Sequence, residues 1–257
     1  VNGIGLAGRA GELRGCRTPF VLATVVRAER PTSAKPGDQA LVLPDGTVEG
    51  FVGGVCAEST MRLEGLRMLQ RGESVLLRIT PGGGGDAAPE PGLRTVENHC
   101  LSGGSLEIFL ESVLPAPLVA VLGDAPVAHA LRRVGEALDY DVRPIIDPVA
   151  ALPADTAAVV VASHGRDEAR VLTAALRSGV PYIALVASRR RAAAVLGGLD
   201  VEEEQRRQVH APAGLDIGAR TPGEIALSIF AQFAAARLVS EKSRSGGTAH
   251  PRAPEAP

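Results

Sequence analysis

The sequence predicts an α/β protein: a small α+β domain over residues 1–114, a doubly wound parallel-sheet domain over 118–239, and a disordered tail over 240–257. Three observations lead there. Before residue 115, short β-branched runs cluster around one amphipathic stretch, whereas after it continuous apolar runs alternate with helical stripes. Pro115-Ala116-Pro117 stands between the two parts as a stiff linker. The last residues, SEKSRSGGTAHPRAPEAP, have too few apolar side chains to fold.

In the first part, residues 1–16 are weakly patterned and hold at most a fragment of helix. Residues 20–27, FVLATVVR, form a buried strand bounded by Pro19 and Pro31. Pro31-Thr-Ser-Ala-Lys-Pro-Gly37 is a loop. Residues 39–43 and 47–52 flank Pro44-Asp45-Gly46, and an Asp-Gly between apolar runs signals a hairpin. Residues 57–71 are helical, with Met61, Gly65, Met68 and Leu69 on one face and Gly72 as the stop. Strands follow at 74–79, 93–98 and 105–110, with a mobile glycine-rich loop at 81–91.

In the second part, residues 118–122 are apolar throughout, as a strand buried on both faces should be. Val127, Leu131, Val134, Gly135 and Leu138 make a helical stripe. Further buried strands fall at 142–146, 157–162 and 182–186, with helices at 166–178 and 188–196. The last helix opens on Thr221-Pro222-Gly223-Glu224, a capping box with Pro at its first position, and buries Ala226, Ile229, Phe230 and Phe233.

A composition of 45% hydrophobic and 22% charged residues is that of a soluble globular protein. No apolar run approaches a membrane span, and the opening VNGIGLAGRAGELRG is too polar for a signal peptide. A formal charge of −2, with no Trp, gives no case for nucleic-acid binding. Cys16, Cys56 and Cys100 show no CxxC spacing and fit free thiols in a reducing cytoplasm.

Two stretches look like halves of one site: Phe51-Val-Gly-Gly-Val-Cys-Ala-Glu58 and His99-Cys-Leu-Ser-Gly-Gly104. Each sets a cysteine beside a Gly-Gly pair, where the backbone turns sharply and approaches a neighbour closely. Cys56 falls where a helix begins, and the N–H groups and dipole there favour an anion or a thiolate. The two cysteines are either buried structural thiols or a thiolate pocket for a sulfur-rich or anionic ligand. A metal site with His99 lacks the spacing that zinc prefers.

The strand-to-helix turn Gly123-Asp-Ala-Pro-Val-Ala128 keeps only the first glycine of a dinucleotide fingerprint. Asp147 stands where a ribose-binding acid would sit, yet Ala125 and Asp124 oppose a pyrophosphate. The plainer reading is a Rossmann-like shell without a nucleotide. Its carboxyl edge gathers Ser163-His164-Gly165, Ser188-Arg189-Arg190-Arg191 and the 213–218 loop, in which Asp216 is the polar contact. His164 is a turn residue or a ligand contact. The arginines either hold a phosphate with the helix N–H groups, or are solvated or paired with Glu202–Glu204.

Together these motifs resemble the XdhC/CoxI family of molybdenum-hydroxylase accessory proteins. The resemblance runs from about Phe20 to Leu238. It rests on Leu22-Ala-Thr-Val25, the Pro31–Gly37 loop, Gly53-Gly-Val-Cys-Ala-Glu58, Cys100-Leu-Ser-Gly-Gly104, residues 182–191 and Pro212-Ala-Gly-Leu-Asp-Ile-Gly218. It implies a cytoplasmic chaperone that binds molybdenum cofactor and assists its sulfuration or insertion into a xanthine dehydrogenase or carbon monoxide dehydrogenase-type enzyme. The implied cofactor contacts are Gly53, Gly54, Cys56, Glu58, Cys100, Ser102, Gly103, Gly104, His164, Ser188, Arg189, Arg190 and Asp216. The two cysteines would face the sulfur and metal end, with the phosphate end across the linker. The implied partners are the apo-hydroxylase, a cysteine desulfurase and a second copy of the chain. Two departures stand out. Val55 intervenes before Cys56, as in the branch linked to carbon monoxide dehydrogenase-like gene sets, and the Gly123 turn lacks the family's Gly-x-Gly-His. The rival readings are an NAD(P)-dependent oxidoreductase, disfavoured by that turn, and a cofactor-free interaction scaffold.

Overall fold

The computed structural model describes residues 3–82, 90–97 and 103–245. It divides into two units, Val1–Pro115 and Ala116–Pro257.

The first unit runs α1 (Gly3–Gly15), β1 (Phe20–Glu29), β2 (Gln39–Val42), β3 (Val48–Gly50), α2 (Val55–Arg71), β4 (Val75–Thr80), β5 (Leu93–Glu97) and β6 (Ser105–Val113). Its six strands form one sheet in the order β3-β2-β1-β6-β4-β5, antiparallel except for β4 with β5. The Asp-Gly hairpin forms as the sequence predicts: Thr47 N–H donates to Asp45 Oδ1 at 2.9 Å and Leu43 N–H to Thr47 O at 2.9 Å. Met61 and Met68 of α2 pack with Val25, Leu77 and Ile108 on one face of the sheet. Gly65 lies against Val42, and a Cβ there would stand 3.1 Å from Cγ2. Gly72, at φ 67°, closes α2 by donating its N–H to Met68 O.

Residues 3–15 form a full helix where the sequence suggests only a fragment. Interior Gly5, Gly8 and Gly11 cost about 1 kcal/mol each against alanine. Burying Leu6 and Leu13 against Phe20, Leu41 and Leu43 contributes about 2 kcal/mol apiece and offsets that cost. The packing decides, and local propensity does not.

The second unit runs β7 (Leu118–Leu122), α3 (Pro126–Ala137), β8 (Asp141–Pro144), β9 (Thr156–Val161), α4 (Glu168–Arg177), β10 (Tyr182–Leu185), α5 (Arg189–Gly197), α6 (Glu203–Arg206), β11 (Val209–His210) and α7 (Pro222–Ser245). All five strands are parallel, in the order β11-β10-β9-β7-β8. Counted from β7 that is 2-1-3-4-5, a doubly wound order whose direction reverses between β7 and β9. Val121, Val160 and Ala184 face α3 and α7 through Leu131, Ile229, Phe230 and Phe233. Leu122, Val161 and Leu185 face α4 and α5 through Leu172, Leu176 and Ala192. Gly135 lets α3 approach β8 and α7 closely, since a Cβ there would overlap Val142 and Phe230.

Three expectations change. The stretch at 142–146 is an edge strand: β8 has only β7 beside it, Pro144 sits on that edge, and Ile146 beyond it is 90% exposed. Leu138, at the end of the α3 stripe, is the helix cap and 46% exposed. Helix α7 continues to Ser245, so residues 240–245 of the expected tail are helical. Glu241 and Lys242 are good helix formers that let a packed helix propagate. α6 and β11 are too short to leave a periodic signal.

The α7 capping box is present. Glu224 N–H donates to Thr221 Oγ1 at 3.3 Å, and Thr221 and Arg220 N–H both donate to Glu224 Oε2 at 2.8 Å. The hydrogen bonds from Thr221, then Arg220, hold the Glu224 carboxyl below its ordinary value of 4.5. Folding therefore favours the carboxylate. Its contribution is full above pH 4.5 and is lost as pH falls through the lowered folded value. Glu224→Ala is expected to lower the thermal midpoint at pH 7, with the gap to wild type closing as unfolding is measured at increasingly acid pH.

Candidate functional site

In the first unit three loops converge at the start of α2. The Pro31–Gly37 loop is pinned to β1 by Gly37 N–H to Val25 O at 2.8 Å and Val25 N–H to Asp38 O at 2.9 Å, and β1 shifts register between Val25 and Arg27. Gly53, at φ 134°, sits in a conformation that disfavours other residues, and a Cβ there would press on Ala57, Leu106 and Ala34. Gly104 abuts the same loop from the other side. A Cβ there would lie 2.2 Å from Pro31 O and 2.7 Å from Glu29 O, so only glycine fits. The two Gly-Gly stretches thus meet around one loop, and Gly103 is exposed beside them at φ 69°. Cys100 and Ser102, with His99, lie outside the described residues.

Helix α2 begins at Val55, two residues earlier than the body expected from the sequence, so Cys56 lies inside its first turn. Gly54 is the N-cap and supplies no side-chain cap. The first intrahelical donor is Glu58 N–H, to Gly54 O at 3.1 Å, and the N–H groups before it take acceptors from outside the helix. Cys56 is half-buried among them, while Gly54, Val55 and Glu58 are exposed. The Glu58 carboxylate suits the helix dipole and tempers the local positive potential. This geometry offers a thiol beside backbone donors at a glycine turn, suited to a soft or anionic group.

The second unit gathers its polar turns at the carboxyl ends of β7, β9 and β10. Gly123, at φ 120°, crosses so near β9 that a Cβ would lie 2.3 Å from Ala162 O. This glycine therefore serves a chain crossing. After β9, His164 (φ 53°), Gly165 (φ 108°) and Asp167 (φ 55°) take left-handed conformations within four residues. The two non-glycine ones cost about 1–3 kcal/mol each. Glu168 holds the turn in place. Its side chain is 4% exposed and accepts from Gly165 N–H at 2.8 Å, Ser163 Oγ at 3.4 Å and the Arg191 guanidinium.

That contact corrects the expectation for the arginines. Arg191 pairs with Glu168, whereas Glu203 and Glu204 pair with Arg206 and Arg207. The Ser188 hydroxyl accepts from Arg191 N–H at 3.4 Å and caps α5. Arg189 and Arg190 are exposed in the first turn of α5, without an ion pair among the described residues. His164 is exposed on its strained turn. Asp216 is exposed at the tip of the 213–218 loop, which reaches the end of β10 through Ala213 N–H to Leu185 O at 3.0 Å. Gln232 anchors that loop, its Oε1 accepting from Gly214 N–H at 3.0 Å and Tyr182 O–H at 2.8 Å. Burial raises the Tyr182 pKa and lowers that of His210, which stacks on it. Glu168 and Gln232 escape sequence reasoning, as does the inward turn of Arg191, because Arg191, Tyr182 and Gly214 are remote in the chain from the residues they meet. A buried acid in a helix's first turn looks like ordinary N-terminal charge.

The arrangement defines a class before it defines a family: an α+β unit with a thiol at a glycine-flanked helix start, joined to a doubly wound unit whose nucleotide turn has lost its fingerprint. Comparison with known proteins gives the family. The XdhC and CoxI family profile matches residues 14–80, and the XdhC Rossmann domain profile matches 119–233. The chain belongs to the XdhC and CoxI family. It is 26% identical over 270 residues to the molybdenum cofactor insertion chaperone PaoD of Escherichia coli, covering 86% of this chain and 85% of PaoD. It is also 26% identical over 252 residues to YqeB of Escherichia coli, an uncharacterized protein, covering 87% of this chain but only 44% of YqeB. A crystal structure of a xanthine dehydrogenase from Bacillus halodurans matches with 17% identity and a TM-score of 0.41, over 95% of this chain and 97% of that one.

The Glu168–Arg191 contact makes a direct prediction. Arg191→Ala leaves a buried carboxylate without its cation and is expected to cost about 2 kcal/mol in urea unfolding. Glu168→Gln, which keeps the side-chain shape, is expected to cost about 1 kcal/mol.

Proposed function

We propose that this protein is a molybdenum cofactor insertion chaperone, with the cofactor as its cargo. The observation that carries the reading is the Cys56 thiol in the first turn of α2, behind a glycine N-cap, where two Gly-Gly stretches meet one loop. The similarity to PaoD across most of both chains supports it. A molybdopterin presents a dithiolene, a flat pterin and a phosphate. Gly54 and Gly103 are exposed and offer the ring backbone free of side chains, Gly53 and Gly104 pack the stretches together behind them, and Cys56 faces the sulfur and metal end. Cys100 and Ser102 complete that end of the site in our proposal. For the second unit by itself we propose anion recognition by Arg189 and Arg190 at the Ser188-capped start of α5, beside His164 and Asp216 on the same edge of the sheet. The client is the apo form of a molybdenum hydroxylase of the xanthine dehydrogenase or carbon monoxide dehydrogenase type, and sulfuration of the cargo takes place before its release.

No helix among the described residues is long and apolar enough to cross a membrane. The exposed Cys16 thiol fits a reducing compartment, and we place the protein in the cytoplasm.

Anaerobic mixing of the purified protein with molybdenum cofactor, followed by size-exclusion separation, tests the reading. Wild type is expected to carry the cofactor through the column, and Cys56→Ala to retain it at least tenfold less well. Absence of co-elution with wild type counts against cargo binding. Equal retention by Cys56→Ala assigns the thiol a purely structural role.

A further inference from the structure

We propose that the groove along the outer face of α3 is an oxyanion-binding site that Asp124 occupies from within the chain. The groove encloses about 610 Å³ and is lined by Pro126, His129, Arg132, Arg133, Glu136 and Pro222. Two guanidinium groups and an imidazole face it against a single lining carboxylate. Asp124, the residue after the Gly123 crossing, contacts two of these lining residues. Its Oδ1 is 2.9 Å from His129 Nε2 and 3.9 Å from Arg132.

The hydrogen bonds order these groups into a relay. The Arg132 guanidinium contacts His129 Nδ1, and the other ring nitrogen, Nε2, contacts Asp124 Oδ1. The imidazole and, at longer range, the Arg132 guanidinium therefore face one carboxylate, and that carboxylate is the chain's own. Phosphate-type oxyanions suit the same donors better, because a guanidinium fork matches two of their oxygens at once. The Asp124 side chain is 86% exposed, so it can swing into solvent without breaking a packed contact. In doubly wound folds the first strand-to-helix turn commonly receives a ligand phosphate. Here the Asp124 carboxylate takes that electrostatic role, and the site opens when Asp124 withdraws. The proposed ligand is a phosphate or pyrophosphate group, and the inference stands independently of cofactor binding by the first unit.

Calorimetric titration of the full chain with inorganic pyrophosphate at low ionic strength tests this. Asp124→Ala is expected to bind at least tenfold more tightly than wild type, and Asp124→Ala/Arg132→Ala to lose that gain. Asp124→Asn serves as a second variant and is expected to tighten binding in the same direction, with thermal melts confirming that each protein is folded. Equal affinity in wild type and both single variants overturns the proposal. A gain that survives removal of Arg132 overturns it as well.

Discussion

The carboxyl edge of the parallel sheet depends on one buried contact, between Glu168 and Arg191. Glu168 opens α4 and Arg191 lies in the first turn of α5, so their pairing ties the turn after β9 to the helix after β10. The same carboxylate satisfies Gly165 N–H, while the Ser163 hydroxyl beside it donates to Arg166 O at 2.7 Å and tightens the same turn. It thereby holds two left-handed non-glycine residues, His164 and Asp167, in a turn that would otherwise relax. An ionised carboxylate this buried is tolerated because its lone pairs are met by hydrogen bonds and a cation. With Arg191 so engaged, Arg189 and Arg190 remain exposed at the head of α5.

In the first unit the equivalent constraint is steric. Gly104 and Gly53 sit where a single added carbon would strike the Pro31 carbonyl in one case and Leu106 in the other. The close approach brings the two Gly-Gly stretches to a common loop beside the first turn of α2, whose N-cap Gly54 has no side chain to offer it. The proposed cargo site rests on this combination of close backbone approaches and a thiol in a helix's first turn. Neither feature alone would distinguish a ligand site from a tight corner.

Much of this was legible in the residues. Continuous apolar runs announced β7, β9 and β10, and Thr221 with Glu224 announced the start of α7, because both signals are local. Helix α1 was hidden by its glycines, since its stability comes from Leu6 and Leu13 reaching Phe20 and Leu41. The exposure of β8 was hidden because a single sequence does not show how many neighbours a strand has. The convergence of the glycine stretches was anticipated from their repeated pattern, whereas the role of Gly104 against Pro31 was not, being a contact between distant segments. Of the three arginines in α5, the sequence marked the group but could not single out the one that turns inward.

The account's central claim is that the protein carries a pterin-bound metal as cargo. Anaerobic isolation of the untreated protein from a host that makes molybdenum cofactor, followed by metal and pterin analysis of the pure fraction, addresses it most directly. The account predicts molybdenum and pterin in equal amounts, approaching one of each per chain. Protein recovered free of both, from cells whose molybdenum hydroxylases are loaded, would contradict it.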